Sequence, residues 1–158
     1  DRHYVAANKD PRVVKELLLH PRLLPGFNDS GAHVTNMAFF DGNLRALKIG
    51  LEDSEQGFSH MLRRLTREPA EFFGLEVGGL DVGDRADLVL FDPQRLATYD
   101  GEASVQYTYR ESFDCHQLVN RSEGHVKGVY VGGEQIWSEK GSTPILGTRR
   151  LGRALKAL

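Results

Sequence analysis

The run Leu23-Leu24-Pro25-Gly26-Phe27-Asn28-Asp29-Ser30-Gly31-Ala32-His33 constrains this chain more than any other stretch. Apolar residues climb to a single carboxylate, and small, turn-prone residues follow it before a histidine. A β-strand that ends in a loop presents such an aspartate on a stiff backbone, and the glycine lets the chain turn away without covering it. Asp29 is therefore the first candidate for chemistry. Ser30, Gly31 and His33 stand beside it as candidates for substrate contact, although a loop histidine also suits a single backbone hydrogen bond. Pro25-Gly26 inside the apolar run implies a bend or an early strand end.

What precedes the run sets its context. Asp10-Pro11 is a helix start, because aspartate caps orphan N–H groups and proline loses nothing at the first helical position. Val13, Val14, Leu17 and Leu18 form one apolar stripe, and His20-Pro21 stops it. A helix, a short connection, a buried strand and a carboxylate at its carboxyl end make half of an α/β unit. Ligands collect at that end of the strands.

Downstream, Asn36 to Ile49 reads as a loop followed by a helix. Asp53 with Gln56 resembles a capping box, and Phe58, Met61, Leu62 and Leu65 keep helical spacing, which predicts a helix from about Ser54 to Thr66. Glu68-Pro69 restarts the helix and Gly74 stops it. Phe39-Phe40 and Phe72-Phe73 read as core. Beyond Gly74 the texture becomes mainly β. Gly78 to Asp84 is turn-rich, and the Gly-rich region Gly74 to Gly83 lacks the strand-glycine-helix order of a phosphate loop. Ala86 to Asp92 reads as a strand closed by Pro93, Val105 to Tyr109 as extended, and Ser112 to Val119 as strand or loop. His125 to Val131 and Glu134 to Ser138 form a hairpin around Gly132-Gly133, a pair suited to a type I′ turn. The tail, with Arg149, Arg150, Arg153 and Lys156, reads as a short basic helix or a frayed, solvated end.

Composition removes several classes of function. The 158 residues are 40% hydrophobic, and 20 Lys and Arg nearly balance 22 Asp and Glu, so no global field favours nucleic acid or an anionic membrane. No apolar run approaches the ~18–20 residues that span a bilayer. The chain reads as soluble and cytoplasmic, and its one cysteine, Cys115, suits a reducing compartment. Cys115-His116, without a second pair, reads as a packed thiol beside a surface imidazole. The opening Asp1-Arg2-His3 suits a piece of a longer chain, and a cleaved tag would leave the same mark.

Three segments in order carry a resemblance: Pro25 to Val34, Leu65 to Leu75, and Gly79 to Pro93, with Gly132-Gly133-Glu134-Gln135-Ile136-Trp137 fitting a late hairpin. Together they resemble the C-terminal part of the amidohydrolase superfamily, closest to the N-acyl-D-amino-acid deacylases, or D-aminoacylases. The resemblance implies an α/β fold: the C-terminal part of a metal-dependent (β/α)8 barrel plus part of a small β-sandwich. Residues 1–75 would hold the last barrel strand and its flanking helices, and residues 76–158 a mainly β portion with the C-terminal tail. It maps Asp29 onto the aspartate at the end of the last barrel strand, beside a zinc ion. There it would take a proton from metal-activated water and pass it to the leaving amine of an N-acyl-D-amino acid or related small amide.

The chain departs from the whole pattern. Its histidines, at 3, 20, 33, 60, 116 and 125, contain no His-x-His pair. A full barrel takes ~250 residues, and catalytic zinc wants about three protein ligands. The expectation is a chain that is incomplete as a deacylase and needs an N-terminal segment or another chain to complete it. An incomplete barrel would expose apolar surfaces and edges, so an oligomer or an intimate partner is expected. A non-catalytic structural fragment or interaction module is the alternative. Asp29-Ser30-Gly31-Ala32 also matches the signature of aspartic proteases, but flanking helical patterns speak against their mostly β fold.

Overall fold

In the computed structural model, which describes residues 10–26, 35–121 and 123–157, regular structure begins at the Asp10-Pro11 signal. Helix α1 (Pro11–Leu19) is capped by the Asp10 carboxylate, which accepts from the Arg12 backbone N–H at 2.9 Å. The helix ends at His20, ahead of Pro21. Residues 23–26 form no strand, so the strand expected to deliver Asp29 has not begun by Gly26. Pro25 has no N–H to give to a ladder, and Pro-Gly favours a bend.

Strand β1 (Asn36–Met37) runs into a 3-10 turn, Ala38–Asp41, that passes directly into helix α2 (Gly42–Asp53). Helix α3 (Glu55–Leu65) follows after one residue. The capping box expected at Asp53 is corrected here: Asp53 is the last residue of α2, and the Ser54 hydroxyl caps α3, accepting from the Gly57 N–H at 2.9 Å. The extended backbone of Ser54 ends one helix and starts the next, because neither ladder continues through that conformation. Helix α4 (Arg67–Phe72) begins two residues before Pro69, whose missing N–H belongs to the first turn and costs nothing. It stops before Gly74.

The core lies between α2 and α3. They approach so closely that a Cβ on Gly50 would stand 2.9 Å from the Gly57 carbonyl oxygen, which only glycine avoids. Ala46, Leu47 and Met61 are buried there, joined by Leu96 from helix α5 (Pro93–Ala97). The sequence reading contains no α5. Pro93 does close strand β2 (Leu88–Phe91), and Asp92 then caps a new helix by accepting from the Gln94 and Arg95 N–H groups. Asp92-Pro93 repeats the Asp10-Pro11 signal, but five residues are too few to show a period. Phe91 meets Phe58 edge-on with ring centroids 5.9 Å apart, so strand and helix share the core.

Two open sheets complete the fold. In the first, β4 (Cys115–Asn120) lies between β1, parallel to it, and β3 (Val105–Arg110), antiparallel. The ambiguous stretch from Ser112 thus resolves into a 3-10 turn, Glu111–Phe113, and a strand. In the second, the order is β2, β5 (Val126–Val131), β6 (Glu134–Ser138) and β7 (Gly141–Ser142), all antiparallel. Gly132 and Gly133 have φ of 58° and 83°, the two positive values a type I′ turn needs. The Asp87 carboxylate braces that turn by accepting from the Gly132 N–H at 2.7 Å. Hydrogen bonds from Arg85 first, and from Gly132, hold its pKa below the usual carboxylate range despite some burial.

One expectation is corrected and two readings are narrowed. Phe40, Phe72 and Phe73 are exposed rather than core, Phe72 by 72%. The tail forms no helix over residues 149–157. The described residues make a mixed α/β structure with two open sheets and no closed barrel.

Candidate functional site around Asp41 and Tyr99

Asp29, Ser30, Gly31 and His33 lie outside the described residues. What the structure places is the chain on either side of them. On the near side, Pro25 and Gly26 line a cleft of about 1100 Å³ with α1, α2 and the loop from Thr98 to Glu102. On the far side, the Thr35 carbonyl accepts from the Leu118 N–H at 2.9 Å, and β1 continues along β4 in the register Asn36 to Leu118 and Met37 to Val119.

Beside the ends of β1 and β4 sits a buried polar network. The 3-10 turn after β1 ends on Asp41, whose carboxylate is turned inward and only 6% exposed. Arg45, one helical turn on, donates through Nε at 2.6 Å, and the Tyr99 hydroxyl donates to the same oxygen, Oδ2, at 2.6 Å. The side-chain oxygen of Asn120, at the end of β4, stands 3.3 Å from the Tyr99 hydroxyl, while its amide donates to the Gly101 carbonyl at 3.1 Å. Lys48 Nζ donates to the Tyr99 carbonyl at 2.7 Å. The Tyr99 ring meets the His125 imidazole edge-on at 4.9 Å.

The electrostatics make this network a holder rather than a reactant. Burial, and next the Asp41 hydrogen bond, push the Tyr99 pKa well above the ordinary tyrosine value, so the phenol keeps its proton and stays a donor. A buried carboxylate needs such donors, since leaving it unpaired is costly. Tyr99 lines the cleft yet is only 2% exposed, with its hydroxyl bonded to Asp41. A second staple of the same kind uses Arg64, which is buried on α3 and donates to the His20 carbonyl at 2.6 Å, fixing the end of α1.

Cys115-His116 behaves as its composition implies. Cys115 is a free, half-buried thiol, and His116 stacks on Tyr107 at 4.9 Å and meets Tyr109 at 5.2 Å. Among the described residues no three His, Cys, Asp or Glu side chains gather as a metal site. That donor set does not fit zinc. Sequence reasoning missed Asp41, Tyr99 and Asn120. The i, i+4 spacing of Asp41 and Arg45 is legible in the sequence, but nothing local points Tyr99 or Asn120 at them.

Comparison with known proteins bears on the same stretch. A model of the amidohydrolase family matches residues 25–136, from Pro25 to strand β6. An uncharacterised protein of Mycobacterium tuberculosis is 34% identical over 142 residues, covering 84% of this chain and 22% of that protein, and one of Mycobacterium bovis matches equally. A dihydroorotase of Clostridium acetobutylicum is 30% identical over 83 residues, 52% of this chain and 19% of its own. The chain spans about a fifth of the length of these curated relatives. No solved structure matches.

Proposed function

The chain belongs to the amidohydrolase family, and from that premise we propose that it is the Asp29-bearing part of a metal-dependent hydrolase of N-acyl-D-amino acids or related small amides. The observation that carries the reading is the family match over residues 25–136, which contains the Asp29-Ser30-Gly31 motif and the late hairpin in order. Asp29, as a carboxylate, takes a proton from the attacking water while the water oxygen bonds to the amide carbon. The C–N bond then breaks, and Asp29 returns that proton to the leaving nitrogen. One carboxylate serves both transfers because they occur in sequence. Ser30, Gly31 and His33 contact the substrate.

Zinc is the metal that the family resemblance implies. Asp29 is the metal residue of this chain in that reading; the described residues supply no further zinc site, so the other ligands would come from a further segment or another chain, and the proton path above is written for Asp29 alone. The test uses the longer protein that carries this chain, assayed for free amine released from N-acetyl-D-amino acids. Asp29→Asn should lower kcat on the order of 100- to 10,000-fold. Wild-type turnover in that variant, or robust turnover by the 158-residue chain alone, overturns the reading.

A second reading, a non-catalytic interaction module, draws on one observation. Phe72 and Phe73, Leu80 and Val82, and Val89 and Leu90 are all exposed. Such apolar surface suits association with a missing segment or a second copy. A monodisperse monomer in light scattering would count against the expected oligomer or partner.

A further inference from the structure

We propose that His60 is a pH-sensitive latch on the C-terminal end of α1, acting through the buried guanidinium of Arg64. Each nitrogen of that guanidinium goes to a different place. Nε donates to His60 Nε2 at 3.2 Å, one turn back on α3, Nη1 pairs with the Glu68 carboxylate of α4 at 3.3 Å, and Nη2 donates to the His20 carbonyl at 2.6 Å. His20 is the residue at which α1 ends, so the last of these bonds closes α1 onto α3. Arg64 is only 3% exposed, and a buried guanidinium has no bulk water to replace a lost partner.

A guanidinium only donates, so the contact requires a lone pair on His60 Nε2 and places the ring proton on Nδ1. Protonation of Nε2 removes that acceptor and sets two cations 3.2 Å apart. The guanidinium then turns toward Glu68, and the His20 carbonyl loses its donor. The neutral ring is the form the contact needs, so the latch is closed at high pH and opens as pH falls. Among the partners of Arg64, an imidazole is the group whose charge changes between about pH 8 and 5.

The other charges near His60 do not duplicate it. The hollow beside its ring is lined by Glu55, Arg63 and Glu68. The charged side chains of α2 are engaged elsewhere, Arg45 with Asp41, Lys48 with Glu52 and the Tyr99 carbonyl, and Asp53 with Lys15. His20 is the second imidazole at this junction, but its Nδ1 accepts from the Arg22 backbone N–H, and the bond from Arg64 goes to its carbonyl rather than its ring. What the latch controls is a wall: Val14 and Leu18 of α1 line the cleft of about 1100 Å³, and Leu18 and Leu19 pack against the helical core. The Lys15 to Asp53 pair, at 2.8 Å, ties α1 to α2 without an imidazole, so acid loosens the end of α1 and leaves its middle attached.

The experiment is hydrogen exchange on the longer protein that carries this chain, at about pH 7.5 and about pH 5.5, with each rate divided by that of the unfolded chain at the same pH. Protection over residues 16–24 should fall on the order of 3- to 10-fold at the lower pH, while the β5 to β6 hairpin stays unchanged. His60→Gln offers an amide oxygen that accepts from Arg64 Nε without titrating, and should abolish the pH dependence; His20→Gln should keep it. An unchanged wild type overturns the proposal, as does equal loosening of the hairpin, acid loosening that persists in His60→Gln, or its loss in His20→Gln. Should His60→Gln fail to fold, the nitrogen chemical shifts of the His60 ring in the wild type decide. The Nδ1–H tautomer is expected at about pH 7.5, and the Nε2–H tautomer overturns the latch. None of these readouts depends on the reaction assigned to Asp29, so latch and reaction fail separately.

Discussion

Helices α2 and α3 and the four-stranded sheet treat apolar residues in opposite ways. In the helical region Met61 and Leu96 are fully buried, and partly buried leucines and Phe58 surround them. In the sheet formed by β2, β5, β6 and β7, the only strand residue that is buried is Gly128. Neighbouring Val89 and Leu90 on β2 point to opposite faces, and both are about half exposed. A sheet normally has one apolar face against a core; here Phe91 reaches the helical core, while Val89 and Leu90 stay half exposed among the described residues. Helices α2 and α3 bury apolar side chains between them, while the sheet leaves Val89 and Leu90 about half exposed.

That contrast makes graded predictions for the folded chain, read as urea midpoints. Met61→Ala should cost the most, roughly 2–5 kcal/mol, because it empties a site with no solvent to refill it. A loss under about 1 kcal/mol would mean that the helical core collapses readily and is not the stable half. Tyr99→Phe should cost about 1–3 kcal/mol, the range for removing a buried hydrogen-bond partner from a carboxylate.

Tyr99 also gives a pH signature. Its folded pKa is raised above the unfolded value, so its contribution is fully present below about pH 10 and is lost as pH rises through the folded pKa. Stability of the wild type should fall more steeply than that of Tyr99→Phe above about pH 10. Parallel curves in alkali would show that the phenol is not held in its protonated form.

Smaller effects sharpen the comparison further. Ser54→Ala should cost about 1 kcal/mol by uncapping α3, and an unchanged midpoint would mean that Asp53, beside it, takes over the cap. Val89→Ser should change stability by no more than about 0.5 kcal/mol in the isolated chain. A loss there as large as for Met61→Ala would break the distinction between the two regions.

How much of this was legible in the sequence depends on the range of the signal. Caps and turns were: Asp10, the two-glycine hairpin and the stop at Gly74 act within four residues of themselves. The one-residue error at Asp53 has the same origin, since Asp53 and Ser54 are both good caps and only the path of α2 selects between them. Helix α5 was missed because it is too short for periodicity, although its Asp-Pro start is visible. Of the candidate site, only the Asp41 to Arg45 spacing has a sequence signature. Tyr99 is 58 residues from Asp41 and 21 from Asn120 along the chain.

The sequence by itself determined where α1 starts, where the Gly132-Gly133 hairpin turns and which family the chain belongs to, because capping, positive φ and motif order are properties of neighbouring residues. Only the tertiary structure decided which polar groups are buried together and which aromatic residues stay outside. Burial is set by what arrives from distant parts of the chain. A phenylalanine such as Phe72 carries the same hydrophobicity whether or not a surface comes to cover it.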